Sequence, residues 1–269
     1  MLQKTWISLL VVFLVGYLVP VSEGATQAPQ AARVPQAAAG RGLAAMDRAA
    51  KAHRHLFILF YRQNDAQTQR LTAVFNNAVA AIGERADSIT IPITDPSEAG
   101  IVTKFGVKDA PMPLAVVLAP NGAITAGFPG KFTKEQLLGS LATPAMEKLL
   151  GALQQGKLVF LCVQNGGTRE NSEAMSGVRA FRTDQRYAAA SEVLMLDPSL
   201  PGERPFLTRL GVNGPVNEAM TLLIAPPGSI IGSFKGATDK NRLVATVTNA
   251  SKGCCGAGCK PGQCCPAPK

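Results

Sequence analysis

The sequence has few of the residues on which many enzymes and nucleic-acid-binding proteins depend. Among its 269 residues, histidine occurs twice, tryptophan once, and aromatic residues together make up 6%. It contains neither the Gly-x-Ser-x-Gly turn of serine hydrolases nor the Gly-x-x-x-x-Gly-Lys-Ser/Thr loop that binds phosphates. The net charge is +9, but the cations are scattered and are not interleaved with aromatic residues. We therefore expect no nucleic-acid partner.

Charge is also missing from the first apolar segment, residues 6–19, which follows Lys4 and ends before Pro20. A cationic start, an apolar run and then small residues form the pattern of a cleavable secretory signal peptide. An uncleaved anchor is the alternative, although the run is short for a membrane span of about 20 residues. We predict a signal peptide at residues 1–24 and an exported protein, periplasmic or extracellular. Such a protein meets a membrane only if this segment is retained.

Two further segments lack the large apolar residues that a core needs. Residues 25–40 are rich in Ala, Gln and Pro, which predicts a flexible linker. Residues 251–269 consist mainly of Gly, Pro, Lys and Cys and form a Cys-rich tail. The chain between them is predicted to form two domains, residues 41–143 and 144–250, because one pattern of elements occurs there twice.

Each copy of this repeat begins with a helix and an apolar strand. The strands are Leu-Phe-Ile-Leu-Phe-Tyr at residues 56–61 and Leu-Val-Phe-Leu-Cys-Val at residues 158–163. An amphipathic helix, a strand, another helix and two strands joined by a Pro- and Gly-containing turn follow, before a final helix. This order predicts an α/β fold in which each domain has a mixed central sheet with helices on both faces.

The first copy resembles the thioredoxin family in specific residues. The matching residues are Phe105-Gly106-Val107, Ala110-Pro111-Met112-Pro113, Asn121-Gly122, Gly127 and Gly130. The resemblance covers residues 41–145 well. In residues 146–250 it depends mainly on the repeat and on Leu210-Gly211-Val212. It implies two tandem thioredoxin-like domains, and a cis peptide bond before Pro113, which would face the active site of the family.

Both copies lack the Cys-x-x-Cys pair that the resemblance places at the start of the helix after the first strand. Asp65-Ala66-Gln67-Thr68 occupies that place in the first copy, and Gly166-Gly167-Thr168-Arg169 in the second. The second copy also has Ala219 at the cis-proline position. Thiol–disulfide exchange needs a thiolate, so neither domain can catalyse it with its own residues.

The resemblance still implies a binding site, because thioredoxin relatives hold extended peptides beside the equivalent proline. We therefore predict a peptide-binding groove formed by Pro113, Met112 and Asp65. Its partner would be a protein or a peptide.

Five of the six cysteines lie in the tail, at Cys254, Cys255, Cys259, Cys264 and Cys265. Thiolates favour copper(I) and zinc, whereas an oxidising compartment favours disulfides within the tail or to another chain. A tail without a specific role is a third possibility. The cofactor therefore stays unknown, with zinc and copper as the candidates.

Three other groups have a weaker claim to a functional role. Cys162 lies in an apolar strand and is predicted to be a core residue. His53 and His55 could bind a metal if both pointed the same way, but the chain has no third histidine. Asp95 and Asp197 are expected at turns or helix caps.

These observations favour an exported, redox-inactive binding or scaffold protein. Two alternatives stay open. One is a copper or zinc handling protein that uses the tail thiols. The other is a thiol–disulfide oxidoreductase whose tail supplies the thiols to a domain groove. Because the domains lack a redox centre of their own, an enzyme is the less favoured class.

Overall fold

The computed structural model describes residues 40–253, so the predicted signal peptide and the five tail cysteines lie outside the described residues. Two four-stranded sheets form within this range, and both have the strand order second, first, third, fourth. In each sheet the first two strands are parallel and the other neighbours are antiparallel. The predicted fold class is therefore confirmed.

The strands follow the predicted order. The first sheet contains β1 (His55–Tyr61), β2 (Ala86–Pro92), β3 (Leu114–Leu118) and β4 (Ile124–Pro129). The second contains β5 (Leu158–Val163), β6 (Ser191–Leu196), β7 (Met220–Ala225) and β8 (Ser229–Lys235).

The helices follow the same repeated order. In the first copy they are α1 (Arg41–Lys51), α2 (Ala66–Ile82), α3 (Ala99–Phe105) and α4 (Lys134–Leu138). In the second they are α5 (Pro144–Gln154), α6 (Asn171–Arg182), α7 (Gln185–Ala188), α8 (Arg204–Arg209) and α9 (Lys240–Gly253). The sequence pattern did not predict α7. No helix among the described residues is long and apolar enough to span a membrane.

Each sheet has a central strand that is apolar along its length because both of its faces are covered. In β1, Leu56, Ile58 and Phe60 pack into one core cluster, whereas Phe57 and Leu59 pack into another on the opposite face. Strand β5 divides its side chains in the same way. Successive residues of a strand point to opposite faces, so an uninterrupted apolar run indicates a strand between two helical layers.

A buried glutamate joins the leading helix of each domain to the segment after the second strand. Glu98 is fully buried, and its Oε2 accepts a hydrogen bond from Gly42 N–H at 2.9 Å, in the first turn of α1. Glu203 in the second domain accepts one from Ala145 N–H at 3.0 Å, in the first turn of α5. Each carboxylate satisfies a helix N–H that would otherwise have no partner.

The leading helix of the second domain also contacts the first domain. The carboxamide of Gln154 donates to the carbonyl oxygen of Ile124 at 2.7 Å and accepts from its N–H at 2.9 Å. Asn121 Nδ2 donates to the Glu147 carbonyl oxygen at 2.7 Å. The two domains therefore share α5 as a common packing element.

Replacing Glu98 with Ala is expected to lower the free energy of unfolding by about 2 kcal/mol, because a buried helix N–H loses its charged acceptor. Urea unfolding followed by circular dichroism measures this loss. The matched control is Arg41→Ala, which removes the exposed partner of Glu98 in the same ion pair. That change should cost less than about 1 kcal/mol. Equal losses in the two variants would contradict the proposed role of Glu98.

Candidate peptide-binding groove

The first helix after β1 begins where a thioredoxin would carry its first cysteine. Asp65 is the N-terminal cap of α2, and its side chain accepts a hydrogen bond from Thr68 N–H at 2.8 Å. This hydrogen bond is the main cause of the lowered pKa of the Asp65 carboxyl. Asp65 is exposed, whereas Thr68 is buried behind it. The place of a thiol pair is therefore held by a capping carboxylate and a hydroxyl.

Pro113 lies immediately before β3, as the resemblance implied. The Met112–Pro113 peptide bond is cis, so this prediction is confirmed. The Pro113 carbonyl oxygen accepts a hydrogen bond from Gly130 N–H at 2.8 Å, which fixes the proline against the end of β4.

A cavity of about 330 Å³ brings the three predicted groove residues together. It is lined by Asp65, Met112 and Pro113 and also by Arg62, Gln63, Gln67 and Thr68. Two of these side chains are held in place by backbone acceptors. Gln67 Nε2 donates to the Gly130 carbonyl oxygen at 3.1 Å, and Arg62 Nη2 donates to that of Lys108 at 2.7 Å. The lining is largely polar and open to solvent.

The main chain of Met112 lies at this cavity without a partner. Among the described residues, neither its N–H nor its carbonyl oxygen takes part in a hydrogen bond within the chain. An unpaired backbone edge beside a groove is a place where an extended peptide can add main-chain hydrogen bonds.

The second domain differs at the start of its corresponding helix. The sequence placed the equivalent of the thiol pair at residues 166–169, but α6 begins at Asn171 and its N-terminal cap is Glu170. This correction has a local cause. Thr168 Oγ1 accepts from Asn165 N–H at 2.9 Å and donates to the Asn171 side chain at 2.6 Å. These bonds hold residues 165–168 in a turn before the helix.

Two main-chain groups that flank Glu218, at this place in the second domain, are already paired. Arg169 N–H donates to the Asn217 carbonyl oxygen at 3.1 Å, and Ala219 N–H donates to the Arg169 carbonyl oxygen at 2.8 Å. Ala219 stands where Pro113 stands in the first domain, and proline has no N–H to donate. The exchange of proline for alanine therefore permits a contact with Arg169 that the first domain cannot form. Sequence reasoning identified Ala219 but missed its partner Arg169.

Cys162, the cysteine among the described residues, is a core residue as predicted. It is 1% exposed, and burial raises the pKa of its thiol to about 11. A thiol with a raised pKa carries little of the reactive thiolate at neutral pH.

The His53-x-His55 pair does not form a metal site. His53 is exposed after α1, whereas His55 is buried at the start of β1. His55 Nε2 accepts a hydrogen bond from Ala142 N–H at 3.2 Å. Within residues 40–253 no group of three His, Cys, Asp or Glu side chains is arranged to hold a metal ion. The thiols predicted to bind metal lie outside this range.

The two Asp-Pro-Ser segments form turns, which confirms the prediction for their aspartates. Asp95 Oδ1 accepts from Ser97 N–H at 2.9 Å, and Asp197 Oδ1 accepts from Ser199 N–H at 2.8 Å. Their carboxylates satisfy local backbone donors and are not paired with each other as an acid and a base.

Comparisons with known proteins give similarity in structure only. No family model matches the chain, and no curated protein matches it. The zinc-bound form of human ERp44 is 13% identical and covers 80% of this chain and 59% of its own, with a TM-score of 0.33. The first two thioredoxin domains of Saccharomyces cerevisiae Eps1p are 13% identical over 73% of this chain and 92% of their own, with a TM-score of 0.28.

A thioredoxin with a single domain gives a similar result. A mutant thioredoxin from Halobacterium salinarum is 17% identical and covers 37% of this chain and 86% of its own, with a TM-score of 0.30. At such scores the similarities carry no argument about activity. The strand order and the placement of the helices make both domains thioredoxin-like.

The pH dependence of stability tests the role of His55. Its Nε2 can accept the Ala142 N–H only while it is unprotonated, and burial, followed by the nearby Arg85 charge, lowers the His55 pKa from 6.5. The unfolded chain then binds a proton more readily than the folded chain. Stability from His55 is therefore complete above about pH 6.5 and is lost as pH falls towards the lowered value.

The measurement is urea unfolding at several pH values. In acid, Glu147 changes the stability in the direction opposite to His55, because burial and the nearby Glu203 charge raise the Glu147 pKa above 4.5. Subtracting the pH–stability curve of His55→Gln from that of the wild type isolates the contribution of His55. The control is His53→Gln, which should keep that contribution. Parallel curves for the wild type and His55→Gln below pH 6.5 would rule out this account.

Restoring a thiol pair tests the placement of the groove. The double change Asp65→Cys and Thr68→Cys should give dithiothreitol-dependent insulin reduction at least about tenfold above the parent. Its first thiol would be exposed at a helix N-terminus, which lowers its pKa, with a second thiol behind it. In both proteins the tail cysteines are replaced by serine.

The matched control is Glu170→Cys with Glu173→Cys, at the cap and third residue of α6. There Arg169 is bonded to the neighbouring main chain, so the gain in insulin reduction should be much smaller. Equal activity of the two double variants would show that the closed edge does not exclude a substrate.

Proposed function

We propose that this protein is an exported, redox-inactive binding protein that holds an extended peptide segment in the groove of its first domain. The observation that carries the proposal is the unpaired main chain of Met112, beside Pro113 and facing Asp65. A segment that paired with Met112 would lie across the N-terminus of α2.

The absence of cysteine in the groove determines what happens to a bound segment. With Asp65 and Thr68 in place of thiols, no mixed disulfide forms, and binding depends on hydrogen bonds and side-chain contacts alone. The fixed Gln67 and Arg62 side chains offer donors to a peptide backbone or to polar side chains. The groove is therefore suited to reversible binding of a polar, extended chain.

The second domain serves in this proposal as a support. Its Asn217 and Ala219 main-chain groups are already bonded to Arg169 of the same chain, so they are not free for an incoming peptide. Its leading helix α5 meanwhile packs against the first domain through Gln154 and Asn121. One binding groove per chain follows from this asymmetry.

The alternatives that use the tail thiols depend on the sequence of residues 254–269 alone. Copper or zinc handling and tail-mediated thiol exchange both remain hypotheses. Serine at the five tail cysteines separates them from the groove proposal, because peptide binding in the first domain should survive that change.

The test is a nuclear magnetic resonance titration of the ¹⁵N-labelled protein with the S-carboxamidomethylated B chain of insulin. This probe is an extended chain without reactive thiols. We expect shift changes at the amides of residues 62–69 and at Met112 and Leu114. The same spectrum contains the matched control, since residues 166–172 and 217–219 of the second domain should not shift.

Saturable changes confined to the first groove would support the proposal. Changes centred on the Arg169 edge would assign binding to the wrong domain. No changes at millimolar peptide would show that the groove does not hold extended chains in general.

A further inference from the structure

A second cavity lies in the second domain, apart from the groove of the first. It has a volume of about 440 Å³ and lies between the segment after α8 and one face of β7 and β8. Its floor is apolar and includes Val212, Met220 and Leu222. A cavity of this size is in the range of about 300–1,000 Å³ that small ligands occupy.

Two cations and one carboxylate line the rim of this cavity: Arg169, Lys235 and Glu218. The ion pairs formed among residues 40–253 include none of the three. Main-chain pairing fixes the backbone position of both cationic residues. Arg169 is held by its two hydrogen bonds to the Ala219 edge, and Lys235 pairs with Met220 at the end of β8.

The internal repeat shows that the fold does not require these two cations. Lys235 pairs with Met220 as Pro129 pairs with Leu114 in the first sheet. Arg169 precedes the helix cap Glu170, and Asn64 precedes the helix cap Asp65. The first domain thus builds the same sheet and helix with uncharged residues at both positions. The cations are a property of the second domain's cavity.

We propose that this cavity binds a small amphipathic anion, with a carboxylate between Arg169 and Lys235 and an apolar body over Met220 and Leu222. A guanidinium favours a carboxylate because its donors match the two oxygens. Glu218 on the same rim lowers its net positive charge, so a monoanion fits better than a polyanion. The site is independent of the peptide groove, because it uses none of the same residues.

The experiment titrates the full chain with sodium octanoate and, separately, with octan-1-ol, which has the same number of carbon atoms but no charge. Amide shifts of the ¹⁵N-labelled protein report where each binds. We expect octanoate to shift residues 210–220 and 230–235 and to bind at least about tenfold more tightly than octanol. Added sodium chloride should weaken the binding of octanoate and leave the affinity for octanol unchanged.

The double variant Arg169→Gln with Lys235→Gln should lose the tenfold tighter binding of octanoate over octanol. Its melting temperature is measured to check that it is folded. The control with the same charge change is Arg48→Gln with Lys51→Gln, at exposed positions of α1 in the first domain, which should keep the tighter binding. If the double variant does not fold, each single variant and the salt dependence in the wild type give the same test. Equal affinity for octanoate and octanol, shifts outside the cavity, or equal loss in the control would overturn the proposal.

Discussion

The hydrogen bonding of the main chain just before the third strand distinguishes the two domains more than any difference in their cores. In the second domain, Ala219 N–H donates to the Arg169 carbonyl oxygen of the same chain. In the first domain, proline at the equivalent position has no N–H, and Met112 beside it stays unpaired among the described residues. An unpaired backbone edge is costly to bury but available to a partner. Alanine in place of proline thus allows the second domain a main-chain contact that the first domain cannot form.

The rest of the architecture keeps that edge in a fixed position. The central strand of each sheet is buried on both faces, and a buried glutamate ties each leading helix to the segment after the second strand. Helix α5 belongs to the second domain yet bonds to Asn121 and Ile124 of the first. The groove therefore lies on a support with several independent attachments.

Much of the fold could be predicted from the sequence, because apolar runs and helical periodicity repeat in the same order in both domains. The position of Pro113 followed from a resemblance, and the burial of Cys162 followed from its apolar neighbours. The start of α6 was misplaced, because the turn at residues 165–168 depends on the side-chain hydrogen bonds of Thr168. The Arg169–Ala219 pairing and the cavity beside it could not be predicted, since both join residues that are distant in sequence and have no repeating pattern.

Hydrogen exchange at single amides tests the central claim most directly, since that claim concerns which backbone edge is open. The account predicts strong protection at Arg169 and Ala219, whose N–H groups bond within the chain, and fast exchange at Met112. Fast exchange at Arg169 and Ala219 together with protection at Met112 would contradict it, because the first edge would then be closed and the second open.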